Sequence, residues 1–260
     1  MNARRDSKPR RQATLGALAA LALAFFVSAR SPALSPFGAA ASAAPESAAP
    51  VVYVYLHTET KFAELEQVLR RKLPALEIIV FGRFRDFEEA MAARPPDALL
   101  GVNALLVSQN VRPTLQGFRA NADWETYSLL SVGDTFEGPD LGGKAVGVVD
   151  LLGRAATQEF VSKLLGSDEV KVKRVTKRED LLPLLQLALA DGIVTPTATV
   201  RDITERSRLP LRVRELSAVH VKLASVGVRT TAARALIVSQ FRALDATTNW
   251  MLGVDAWRIP

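Results

Sequence analysis

The 260-residue chain contains no cysteine. Disulfides, a thiolate metal site, a cysteine nucleophile and a lipid-modified N-terminal cysteine are therefore all excluded. Histidine is almost as scarce: His57 and His220 are the two present, which argues against a multi-histidine metal centre. The recognisable catalytic motifs are missing too. There is no Gly-x-Ser-x-Gly elbow, no phosphate-cradling Walker loop and no His-Glu-x-x-His. Adjacent acids such as Glu88 and Glu89 point in different directions on a helix and cannot flank a substrate. These absences point to binding without chemistry, with no enzyme activity, metal or cofactor expected.

No apolar run reaches the roughly 20 residues that span a bilayer. The longest, Leu15–Ala29, follows Arg4, Arg5, Lys8, Arg10 and Arg11, the basic start and hydrophobic middle of an export signal. Two small-residue cleavage sites compete, Val27-Ser28-Ala29 and Ala41-Ser42-Ala43. Arg10-Arg11 resembles a twin-arginine signal only in the pair itself. Residues 31–50 are rich in Ala, Pro and Ser and read as a tether. Residues 1–43 carry +5 of the chain's +6 net charge, so the sequence pI near 9.8 belongs largely to this leader. The remainder is close to neutral, and no nucleic-acid partner is expected. A periplasmic or otherwise exported location follows, membrane-tethered if the leader stays uncleaved.

Beyond residue 50, strands and helices alternate. Residues 51–57, 76–81 and 97–102 read as strands, with helices over 60–73 and 86–93. Asp86 with Glu89 reads as a capping box, and Asn103 suits the N-cap of a short helix to about Gln109. Residues 110–125 look irregular, and 126–132 returns as a strand. Gly133–Gly143, with four glycines and a proline, reads as a crossing between lobes and a hinge. Further strands are predicted over 145–149, 169–175, 191–194, 211–216 and 219–228. Thr176 and Glu179 form a second capping box for a helix through Ala190, residues 197–207 form another helix, and 231–252 reads as one terminal helix. The order predicts a two-lobed α/β protein, each lobe a largely parallel sheet flanked by helices. Lobe one takes residues 51–134 and 220–260, and lobe two takes 135–219.

The segment Asp140–Leu165 is the most suggestive. Ala145–Val149 is a buried strand that runs through a short loop onto an amphipathic helix, so helix N–H groups face whatever lies beyond the strand end. Gly153 frees the loop backbone, Arg154 adds a guanidinium, Thr157 a hydroxyl, and Asp150 either caps the turn or orients Arg154. Strand ends supply the other candidates: His57, Thr58, Glu59 and Thr60 after the first strand, Asn103 after the third, and Thr195 and Thr197 around Pro196. Each has a second reading as a helix cap or surface polar residue. The basic run Lys171, Lys173, Arg174, Lys177 and Arg178 reads either as a docking patch or as edge-strand lysines that block pairing.

Three passages resemble the type II periplasmic solute-binding proteins, nearest to the phosphate/phosphite/phosphonate-type branch of ABC transporter binding proteins. Asp140–Leu165 resembles the family's lobe-two strand and ligand-facing helix start. Residues 181–194, LLPLLQLALADGIV, resemble its helix and short strand, and residues 219–244 its return strand and final helix. The resemblance implies a small, anionic solute between the lobes, hinge closure, and delivery to a membrane permease. Phosphonate-type members carry adjacent Ser/Thr hydroxyls where this chain has Ala155-Ala156. The alternative it implies is a degenerate binding-protein fold acting as an envelope sensor or protein-interaction partner.

Overall fold

The computed structural model describes residues 48–133, 136 and 141–260. The export signal, its cleavage sites and most of the tether lie outside the described residues, as does most of Gly133–Gly143. Among the described residues, no helix is long and apolar enough to cross a membrane.

The first sheet is built from β1 (Val51–Tyr55), β2 (Glu77–Val80), β3 (Ala98–Val102), β4 (Leu115–Phe118), β10 (Ala224–Val228) and β11 (Ala256–Arg258), in the order β11-β4-β10-β3-β1-β2. All five residues of β1 are buried, because it lies between two parallel neighbours and is covered on both faces. Helix α1 (Phe62–Lys72) turns Leu65 and Leu69 inward and places Arg70, Arg71 and Lys72 at its C-terminal end, where cations suit the helix dipole. Helices α2 (Phe84–Ala93) and α3 (Asn103–Ser108) follow β2 and β3.

The second sheet has the order β7-β6-β8-β5-β9, from β5 (Trp124–Val132), β6 (Ala145–Val149), β7 (Lys171–Val175), β8 (Gly192–Pro196) and β9 (Leu211–Lys222). Helix α4 (Arg154–Leu165) ends at Gly166, whose φ of 68° suits a left-handed C-cap. Short helices α5 (Leu181–Gln186) and α6 (Val200–Arg206) complete this lobe. Each sheet is mixed. Its βαβ core is parallel, as expected, and its remaining strands pair antiparallel: β4, β10 and β11 in the first, β5 and β9 in the second.

Several expectations shift. β5 pairs with β8 and β9, so Gly133–Gly143 links two strands of the same sheet and is not the crossing between lobes. The chain crosses at residues 119–123 and returns at Leu223. The span read as irregular holds β4 and a tight turn in which Ala120 and Asn121 take φ of 48° and 67°. Neither capping box forms. Helix α2 starts earlier, behind Arg83, with Asp86 inside its first turn, and Arg178–Asp180 coil into a 3-10 turn before α5, which stops at Gln186. The expected terminal helix is two: α7 (Arg234–Arg242) and α8 (Ala246–Met251), divided where the Asp245 carboxylate caps α8 through the Thr248 N–H at 2.7 Å.

The two crossing strands lie side by side. Trp124 pairs with Lys222, and the Leu223 N–H donates to the Asp123 carbonyl at 2.9 Å. Buried Gln116 braces them. Its amide donates to the carbonyls of Leu223 and Ala224 at 3.2 and 3.4 Å, and its oxygen accepts from Ser225 Oγ at 2.8 Å. The Trp124 and His220 rings stack 3.7 Å apart beside this pair.

Candidate functional site

The helix start of lobe two, the part of the sequence that looked most like a ligand wall, is occupied by its own neighbours. One oxygen of Asp150 accepts from the Gly153 N–H and from Thr157 Oγ1, each at 2.9 Å, and the other accepts from Arg174. Thr157, 1% exposed, in turn accepts from the Leu152 N–H at 3.3 Å. Asp150 and Thr157 therefore lock the turn together, and neither lines the cavity. Arg154 is exposed and also stands outside it.

Lobe one closes over this turn. Tyr55 OH donates to the Asp150 carbonyl at 2.6 Å, and His57 Nε2 lies 3.1 Å from the same oxygen. Burial lowers the His57 pKa to about 4, against the opposing pull of its bond to Asp150, so the ring is neutral and Nε2 carries the proton. Burial, helped by the Asp150 charge, also pushes the Tyr55 phenol upward. Leu152 is buried in the cluster formed by Tyr53, Tyr55, Phe87, Leu99, Leu105 and Leu106, and Leu151, Ala156 and Phe160 pack against it.

The cavity lies beside this contact, between the two sheets, with a volume of about 320 Å³. Thr58, Glu59 and Thr60 line it from lobe one and Thr195 from lobe two, together with Tyr127, Val148 and Val149. Two guanidiniums reach it. Arg178 pairs with Glu59 across the lobes at 3.0 Å, and its side chain is 20% exposed against 59% for the glutamate. Arg119, from the crossing turn, lies 3.5 Å from Glu125 and donates through Nε to the Gly253 carbonyl at 3.0 Å. Burial raises the Glu125 pKa, and the attraction of Arg119 and Arg178 does not cancel that cost.

Five of the expected contacts thus share the cavity: His57, Thr58, Glu59, Thr60 and Thr195. Thr58 and Thr60 hold their own turn through Thr58 Oγ1. Asn103, the first residue of α3, does not line the cavity, and Thr197 is tied to Thr126 and Ser128 on the sheet at 3.0 and 2.9 Å. Arg119, Glu125 and Arg178 were not singled out as contacts. Arg178 was visible only as part of a basic run, and the other two sit in the stretch read as irregular. Within that run Arg174 pairs with Asp150, which leaves the edge-strand reading for Lys171 and Lys173 on β7. Among the described residues, no group of three or more His, Asp or Glu side chains could hold a metal ion.

No family model and no curated protein matches the sequence. Solved structures do resemble it. XAC2383 from Xanthomonas citri, solved with chloride, superposes with a TM-score of 0.57 at 14% identity over 81% of this chain and 91% of that one. A putative L-cystine ABC transporter protein from Listeria monocytogenes gives 0.54 at 13% identity, over 80% and 98%. The periplasmic domain of B. pertussis BvgS gives 0.50 at 13%, over 80% of this chain and 44% of that one. Such likeness establishes the fold: two mixed sheets flanked by helices, in the type II periplasmic-binding-protein architecture. None of these relatives points to phosphate or phosphonate.

Proposed function

We propose that this chain is an exported solute-binding protein that holds a small polar solute, with one anionic group, in the cavity between its lobes and delivers it to the membrane permease of an ABC transporter. The observation that carries the reading is the meeting of Arg178 and Arg119 with the Thr58–Thr60 loop in one inter-lobe cavity. A guanidinium gives a carboxylate or other oxyanion two parallel hydrogen bonds. Arg178 is held by a glutamate that is itself 59% exposed, so a solute can displace Glu59 into water at little cost. Glu125 narrows the class. A dianion such as phosphate or a phosphonate would sit beside a poorly solvated carboxylate, whereas a singly charged solute with a donor group would not be repelled. The likeness to a transporter-associated fold supports the permease as partner.

A thermal-shift screen over carboxylates, amino acids, sulfonates, phosphonates and phosphate tests this. A solute at 100 times its Kd adds about 2.7 kcal/mol, roughly 5–10 °C for a chain of this size. The shift is expected for a singly charged compound and is expected to vanish in Arg178→Ala. A screen without any shift would sink the proposal.

The second reading, a sensor or protein-interaction module, draws support from the apolar contact that joins the lobes. It expects capture of an envelope protein partner that is indifferent to every compound in the same screen.

A further inference from the structure

We infer that the lobes are latched shut in the solute-free protein by the helix start of lobe two, so that closure precedes solute instead of following it. This latch is independent of whether the cavity takes a solute.

A cleft that a solute must close should have lobe faces that are polar and separately complete. Here the reverse holds along one rim. Leu152 is 8% exposed, yet every other buried residue of the apolar cluster it joins, Tyr53, Tyr55 and Phe87 among them, belongs to lobe one. Separating the lobes would return this apolar surface to water. The approach is close enough to require glycine. Gly153 has φ of 78°, and a Cβ there would fall inside the van der Waals envelope of the Phe84 ring. Polar contacts fix the register. The Asp150 carbonyl takes the Tyr55 hydroxyl and faces His57 Nε2, while the Asp150 side chain is held within lobe two by Gly153, Thr157 and Arg174. The latch is therefore rigid before the lobes meet, and meeting orders few further groups. The Glu59–Arg178 pair also bridges the lobes, but an exposed carboxylate makes it a minor contributor.

Because the chain has no native cysteine, Gln67→Cys on α1 and Asp168→Cys in lobe two allow specific spin labelling of the full chain, and double electron–electron resonance then reads the lobe separation. The expected result without solute is one narrow distance population. Phe84→Ala should add a longer-distance population, and Tyr55→Phe, which removes only the hydroxyl, a smaller one. Arg154→Ala, on the same helix turn but outside the latch, should leave the distribution unchanged. A broad or long-distance distribution in the solute-free, otherwise unmodified chain would overturn the inference. So would a distribution unmoved by Tyr55→Phe in a protein whose circular dichroism shows an intact fold, and that variant carries the test if Phe84→Ala fails to fold.

Discussion

Two regions of this molecule present charge and hydrogen-bond donors at the junction of the lobes, and they do opposite things with them. At the helix start of lobe two, Asp150, Gly153 and Thr157 are close in sequence and satisfy one another, leaving an apolar surface that docks on Phe84. In the cavity, Arg119, Glu125 and Arg178 come from separate segments, and no local partner consumes them completely. Residues clustered in sequence had the means to close their own bonds. The cavity had to be assembled by topology, and that is why it keeps charge facing open space.

The largest expected effect tests whether Gly153 is where the lobes touch. Gly153→Val combines a glycine-only backbone, φ 78° with ψ 178°, which costs an L-residue about 1–3 kcal/mol, with overlap on Phe84, another 1–3 or so. Gly166→Val starts from an ordinary left-handed backbone, φ 68° and ψ 27°, which costs about 1–2 kcal/mol, and nothing lies within 4 Å of its Cβ. Thermal melts should place Gly153→Val several degrees below Gly166→Val. Equal melting temperatures would remove the steric contact from the argument.

The next effect follows from His57. Its folded pKa of about 4 lies below the ordinary 6.5, so between those values the unfolded chain binds a proton that the folded one refuses. Stability from this group is complete above pH 6.5, falls as the pH drops, and has lost on the order of 3 kcal/mol by pH 4. Asp150, Arg178 and Glu179 are the charged groups around it, and burial outweighs them. His57→Gln keeps an N–H donor without a titration. Urea midpoints of the two proteins should therefore converge as the pH falls to 4, and parallel pH profiles would contradict the assignment.

A smaller effect separates the two charged residues of the helix start. Asp150→Ala leaves the Gly153 N–H and Thr157 hydroxyl without their acceptor and should cost about 1–2 kcal/mol by denaturant unfolding. Arg154→Ala, exposed and outside the cavity, should stay within about 0.5 kcal/mol and leave solute affinity unchanged. If Arg154→Ala weakened solute binding, the helix start would regain the role that its sequence suggests.

Most of the fold is legible from alternation alone. Val51–Tyr55 and Ala145–Val149 are continuous apolar runs because both faces are covered, and Leu65 and Leu69 mark the buried face of α1. Breaks set by a single side chain were harder to read, as when Asp245 divides the terminal helix. The crossing is hard to read, because Gly133–Gly143 has hinge-like composition, whereas the true crossing at residues 119–123 is an Arg-Ala-Asn-Ala-Asp turn whose role depends on which sheet β5 joins. The same holds for the site. Thr58–Thr60 and Thr195 lie at strand ends, which alternation locates, but Arg119 and Glu125 flank the misread crossing, and their meeting with Arg178 is a long-range fact.

Glu125 offers the finest discrimination between the two regions. Its folded pKa is raised chiefly by desolvation, so its ionised form is disfavoured in the folded state. That cost is present above the folded pKa and fades as the pH falls below the ordinary carboxylate range. Glu125→Gln should thus raise the melting temperature slightly at pH 7, and the gain should disappear on acidification, the opposite slope to that caused by His57. Loss of the contact with Arg119 works against the gain, which keeps it small. The same substitution removes the carboxylate that disfavours dianions, so the solute screen should move toward phosphate and phosphonates. A variant that is less stable at pH 7, or whose solute preference is unchanged, would show that Glu125 braces Arg119 at the crossing and takes no part in selecting what the cavity holds.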